Sequence, residues 1–89
     1  MVKYICLMKF RKKPTREMIS QNLEWIEKDK KMGVKIDAIY WTLGRYDAVV
    51  IFDAPDEKTA MRMGLERAEN LSAETMVAIP AEEARRLVE

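Results

Sequence analysis

The chain has 89 residues, 35% of them charged, a formal net charge of +1, no histidine and one cysteine. That composition excludes an intrachain disulfide framework, a cysteine-based structural zinc site, the Ser–His and Cys–His nucleophile pairs, and histidine as metal ligand or general base. It also supplies no global field to draw nucleic acid.

One domain over residues 1–89 is expected, with a core small enough that oligomerisation is a common remedy. The apolar runs fall far short of the about 20 residues a membrane span needs, so no membrane partner is expected. Met1-Val2-Lys3-Tyr4 leads straight into a strand pattern with no secretory leader, which gives cytoplasmic residence as the expectation. The Lys, Glu and Arg content resembles a heat-adapted surface, and seven Met count against that reading.

Val2 to Phe10 is β-branched and aromatic-rich on both faces, as a central strand would be. Cys6 falls within it and reads as a small core residue rather than a reactive thiol. Arg11-Lys12-Lys13 is a polar connection. Pro14-Thr15 then opens a helix with Thr15 as N-cap and an apolar stripe of Met18, Ile19, Leu23, Trp25 and Ile26. Lys28, Lys30 and Lys31 suit its C-terminal end, and Gly33 suits the position just beyond the cap.

Two strand patterns follow, from about Val34 to Asp53, joined by Trp41-Thr42-Leu43-Gly44-Arg45-Tyr46-Asp47. Gly44-Arg45 fits the centre of a two-residue II′ turn, which pairs Leu43 with Tyr46, Thr42 with Asp47, Trp41 with Ala48 and Tyr40 with Val49. One face of the ribbon then carries Ile39, Trp41, Leu43, Tyr46, Ala48, Val50 and Phe52. The other carries Ile36, Ala38, Tyr40, Thr42, Asp47, Val49 and Ile51. Both are largely apolar, so each needs a cover.

Asp56 is the N-cap of a second helix whose expected buried stripe is Ala60, Met61, Gly64, Leu65 and Ala68. A close approach to the sheet would explain Gly64, and Asn70 is expected to end the helix in the left-handed region. Ser72 to Ile79 is the fourth strand, Pro80 stops it, and Ala81 to Val88 reads as a short terminal helix.

The fold class that results is α+β, a ferredoxin-like β-α-β-β-α-β with a four-stranded antiparallel sheet. Right-handed crossovers place two helices on one face. The Trp41, Val50 and Phe52 side is placed under the helices. The Tyr40, Val49 and Ile51 side is left for a second copy of the chain, as a homodimer or a higher homo-oligomer. The opposite placement is the alternative.

Leu43-Gly44-Arg45-Tyr46-Asp47, set between Ile39-Tyr40-Trp41-Thr42 and Ala48-Val49-Val50-Ile51-Phe52, resembles the GYD domain family, named for a Gly, a Tyr and an Asp at this hairpin. The likeness takes in the opening strand with Tyr4-Ile5 and Leu7-Met8, the helix ending at Gly33, and the closing Glu74-Thr75-Met76-Val77-Ala78. It implies a dimeric α+β barrel and little about activity. Structural relatives of that fold include cofactor-free monooxygenases, small isomerases, haem-degrading proteins and ligand-sensing regulator domains. A haem relative with an axial histidine is excluded by composition.

Asp47 is the foremost polar candidate: a base or ligand-orienting carboxylate, or else an acceptor for turn N–H groups or Thr42. Tyr46 either packs a strand end or protonates a substrate. Arg45 is either solvated at the turn tip or closes over an anion. Tyr40, Trp41 and Trp25 line a pocket or fill a core. Glu74 lies beside Met76 on the barrel side or at an exposed edge, and a buried Glu would need a partner. The run Lys9, Arg11, Lys12, Lys13 and Arg16 lacks interleaved aromatics and reads as a solvated loop rather than a nucleic-acid contact. No phosphate-binding or dinucleotide fingerprint is present.

The expected function is a small homo-oligomeric module that binds an apolar or aromatic ligand in the barrel between sheets. Tyr40, Trp41, Thr42, Arg45, Tyr46 and Asp47 are its candidate binding residues, with no cofactor, metal or nucleic acid. The alternative is a cofactor-free enzyme of monooxygenase or isomerase type using Asp47 and Tyr46.

Overall fold

β1 (Val2–Phe10) and β3 (Ala48–Ala54) form the middle of a four-stranded sheet flanked by β2 (Lys35–Trp41) and β4 (Leu71–Ala78), in the order β2-β3-β1-β4. All three pairings are antiparallel. Three helices complete the chain in this computed structural model, which describes residues 1–89: α1 (Arg16–Lys31), α2 (Glu57–Arg67) and α3 (Ala81–Arg86). The α+β, ferredoxin-like order expected from the sequence is the one observed.

Strand alternation sets the two faces. Ala48, Val50, Phe52 and Ala54 of β3 are buried, with Val49, Ile51 and Asp53 between them only half-buried. Register carries the buried side across β1 through Tyr4, Cys6 and Met8. The core is Tyr4, Cys6, Val34, Val50, Phe52, Ala54, Ala60 and Met63, with the Tyr4 and Phe52 rings stacked at 5.3 Å. These residues lie under α1 and α2, so the Trp41, Val50 and Phe52 side is the helix side.

The helix ends follow their local chemistry. Thr15 Oγ1 accepts from the Met18 N–H at 3.2 Å, and Asp56 Oδ1 accepts from the Thr59 N–H at 2.8 Å. At the other end of α1 the Gly33 N–H reaches the Lys30 carbonyl and the Val34 N–H reaches the Asp29 carbonyl, both at 3.1 Å. This Schellman arrangement needs the positive φ of 93° that Gly33 supplies. A Cβ there would also come within 3.1 Å of the Pro55 ring.

Bonds from the Thr59 N–H and hydroxyl hold the Asp56 carboxyl below its ordinary pKa of 3.8. A depressed carboxyl contributes stability that is complete above the unfolded value and lost as pH falls through the folded one. Asp56→Asn, still a good cap, is therefore expected to unfold less steeply than the wild type below pH 3.8 in acid titrations followed by circular dichroism.

Five expectations are corrected. The connection between β2 and β3 is wider than a two-residue turn: Thr42 N–H donates to the Asp47 carbonyl at 2.8 Å, no backbone bond joins Leu43 to Tyr46, and Leu43–Tyr46 loops out. The Thr42 hydroxyl closes the loop by donating to the Tyr46 carbonyl at 2.7 Å, and Gly44 has φ 101°. The register beyond it is as expected, with Trp41 opposite Ala48 and Tyr40 opposite Val49. A bulge between Ile36 and Ala38 then moves Ile36 opposite Phe52, to the helix side.

The buried stripe of α2 is Ala60, Met63 and Arg67, leaving Met61 and Leu65 exposed. Asn70 is not left-handed, because no residue other than glycine has positive φ. Gly64 meets no tight neighbour: a Cβ there would find open space. Gly64→Ala is accordingly expected to raise stability by about 0.4–1 kcal/mol in chemical denaturation, from reduced chain entropy and higher helix propensity.

Candidate functional site

The space beside Gly64 belongs to a cavity of about 260 Å³ between the helices and the sheet. Eighteen of its twenty-four lining residues are hydrophobic. Met8, Phe10, Trp41 and Val50 rise from the sheet; Leu23 and Trp25 come from α1 and Met63 from α2. It exists because α1 stands off the strands: Ile19 and Leu23, on the apolar stripe read from the sequence, remain 44% and 58% exposed. Phe10 and Trp41 meet edge-to-face at 5.3 Å on its floor.

The polar side chains on its wall are Asn22, Arg67, Asn70 and Thr75. Arg67 is buried against Asp29, with Nη2 donating to the carboxylate at 2.7 Å. Its Nε donates to Asn22 at 3.2 Å, and its Nη1 to the Met63 carbonyl at 3.0 Å. The guanidinium lies 5.4 Å from the Trp25 ring centroid. Burial pushes the Asp29 carboxyl above its ordinary pKa, and the Arg67 hydrogen bond and charge offset part of that rise. On the floor the Thr75 hydroxyl donates to Cys6 Sγ at 3.4 Å. Burial pushes the Cys6 thiol up, against the Thr75 bond and the nearby Arg67 charge.

The sequence reading missed this pair. Met18, Asn22, Trp25 and Asp29 share one helical stripe, as do Ala60, Met63, Gly64 and Arg67. Asn22 and Asp29 on the one stripe and Arg67 on the other were the available signal for the Asp29–Arg67 pair.

Of the six candidate binding residues, only Trp41 lines the cavity. Tyr40 lies on the opposite, helix-free face beside Val49. Thr42, Arg45 and Tyr46 come together in the hairpin loop, where the Arg45 guanidinium lies 5.6 Å from the Tyr46 ring centroid. Tyr46 Oη donates to Glu74 Oε2 at 3.0 Å, so the tyrosine crosses the helix-free side to β4 instead of joining the Trp41 face. That bond to a carboxylate is the main reason its hydroxyl pKa is raised.

Asp47 accepts from the Phe10 N–H at 2.8 Å, fastening the loop to the end of β1. The donor is neither the turn nor Thr42. Asp47→Ala is expected to cost about 1–3 kcal/mol by stranding that N–H, whereas Asp47→Asn, which keeps an acceptor oxygen, should lose less; urea melts of the three proteins test both.

The helix-free face has an apolar middle of Ile5, Leu7, Ala38, Val49, Ile51 and Met76, aligned by register across four strands. Charged and polar pairs close its ends. Lys3 bonds Asp37 and, at 3.3 Å, Asp53; Tyr46 bonds Glu74 at the other end. The Asp37 bond raises the Lys3 pKa and lowers that of Asp37.

The sequence model of the GYD domain matches residues 4–88. The chain belongs to the GYD domain family.

This GYD domain also resembles solved structures in fold. The crystal structure of FFRP-DM1 is 23% identical over 89% of this chain and 100% of its own, with a TM-score of 0.54. The protein At3g17210 from Arabidopsis thaliana is 11% identical over 90% of this chain and 95% of its own, with a TM-score of 0.59. The hypothetical protein PHS023 from Pyrococcus horikoshii is 23% identical over 89% and 90%, with a TM-score of 0.52. At these identities the likeness is one of fold. No curated protein matches the chain. No helix of the GYD domain is long and apolar enough to cross a membrane.

Proposed function

We propose that this GYD domain is a small homo-oligomeric module, each copy of which holds a small apolar or aromatic ligand on the helix side of its sheet. The observation that carries the reading is the cavity of about 260 Å³ with predominantly hydrophobic walls. It falls just below the usual range for small-molecule sites, about 300–1,000 Å³, and shares their character of apolar walls with a few polar groups. This site lies within one copy, between its helices and its sheet, and not in the space between two sheets that the sequence suggests.

Pairing of copies through the helix-free face is the second half of the proposal. An apolar centre with a paired polar rim is the anatomy of a protein interface. Contiguous apolar patches beyond a few hundred Å² are uncommon on monomers. Asp47 and Tyr46 are committed to Phe10 and Glu74 and do not line the cavity, so the acid–base alternative gains no support from their placement.

Methionine methyl resonances test the ligand directly. Met8, Met18 and Met63 line the cavity, and Met1, Met32, Met61 and Met76 do not. Naphthalene is expected to shift the first three signals and leave the other four in place. Gly64→Leu, which fills the open space, should fold and abolish those shifts. Naphthalene that moves none of the three signals in the wild type overturns the reading.

A further inference from the structure

The cavity wall is apolar except at Asn22, Arg67, Asn70 and Thr75, and Arg67, the one charged group among them, defines the chemistry of an occupant. A guanidinium has five N–H donors. Arg67 spends three, on Asn22, the Met63 carbonyl and Asp29, which leaves one N–H on each terminal nitrogen. The residue is 8% exposed and lines the cavity, so water satisfies those donors poorly and a bound molecule has reason to take them.

Charge decides which acceptor fits. Arg67 is already balanced by Asp29 at 2.7 Å, and the neighbouring Glu66 is balanced by Lys28 at 3.6 Å. The group is therefore neutral as it stands. An incoming carboxylate would bring an uncompensated charge out of water and set it near Asp29, and both desolvation and like-charge repulsion oppose that. A neutral carbonyl oxygen accepts the same donors without that cost.

We infer that the GYD domain selects neutral molecules with an apolar, ring-sized body and one carbonyl-type acceptor that meets Arg67. The inference rests on the cavity reading above. Asn70, three residues beyond Arg67 and also on the wall, gives the occupant's polar end a second side chain of neutral character.

Three probes of matched shape test it: 2-acetylnaphthalene, 2-ethylnaphthalene and 2-naphthoate, titrated against the full chain and followed by the Met8, Met18 and Met63 methyl signals. The ketone is expected to bind about tenfold more tightly than the hydrocarbon, the size of one hydrogen bond to a charged donor. The naphthoate should bind no more tightly than the hydrocarbon. Equal affinities for ketone and hydrocarbon, or a preference for the naphthoate, overturn the selection while leaving the cavity occupied. No response to any of the three removes the cavity reading and the inference with it.

Arg67→Ala alone would leave Asp29 buried and unpaired, so the paired variant Asp29→Leu/Arg67→Met serves instead. It should retain hydrocarbon binding and lose the ketone's advantage. A preference that survives in it places the acceptor contact elsewhere and overturns the proposal.

Discussion

Arg67→Ala is expected to destabilise the fold by about 3–5 kcal/mol, the effect of removing one partner from a buried ion pair. Asp29 is 1% exposed and would keep a carboxylate with no cation opposite. The hydrogen bonds to Asn22 and the Met63 carbonyl would go at the same time, and they are part of what ties α1 to α2. The loss should depend on pH with a definite sign. Burial already raises the Asp29 pKa above 3.8, and Arg67 opposes that rise, so its removal raises the value further.

An acid that binds its proton more tightly when folded works against stability above its folded pKa and is relieved as pH falls through it. The gap between Arg67→Ala and the wild type should therefore narrow as pH falls from neutral toward 3.8. Urea melts at several pH values measure this. A gap that is constant or widens would count against the buried pair as its source. Asp29→Leu/Arg67→Met should recover most of the loss, because packed apolar groups replace such pairs at little net cost.

Ile51→Glu is expected to convert an oligomer into a folded monomer. Ile51 lies opposite both Ile5 and Ala38, at the middle of the helix-free face. In a two-fold pairing of sheets its glutamate would be buried against its own copy, without a cation near the apolar centre. A weakening of at least about 100-fold, or about 3 kcal/mol, is the expected scale. Because Ile51 is only half-buried within one chain, the variant should keep its circular dichroism. Sedimentation of wild type and variant at micromolar concentration decides the matter. A wild type that sediments as a monomer would refute pairing through this face.

The parts legible in the sequence were those fixed by neighbours along the chain. Thr15, Asp56 and Gly33 end their helices by interactions that span only a few residues, and the pairing of Tyr40 with Val49 and Trp41 with Ala48 follows from a short connection. The illegible parts depend on residues far apart. Asp29 and Arg67 are separated by 38 positions, and a run of lysines around Asp29 reads as a solvated helix end. The bulge near Asp37 is a single additional residue with no glycine to mark it, yet it reverses the side on which Ile36 falls. Tyr46 crosses to Glu74 because its loop is wider than Gly44-Arg45 implied. Met61 and Leu65 are apolar and fit a helical stripe by spacing, yet they face away from the sheet, and nothing local distinguishes them from Ala60 and Met63.

The same bulge also makes the two margins of the sheet unlike each other. A free strand margin presents unpaired N–H and C=O groups that can template another chain, and an irregular ladder or a charge discourages this. β2 has both devices: the irregularity between Ile36 and Ala38, and Lys35 with Asp37 beside it. β4 runs regularly from Leu71 to Ala78 with Glu74 as its single charge, and that carboxylate is engaged by Tyr46. Chain-to-chain strand addition, and any fibrous aggregation that grows from it, should therefore start at the β4 margin, and a lysine placed there at Ser72 should slow it.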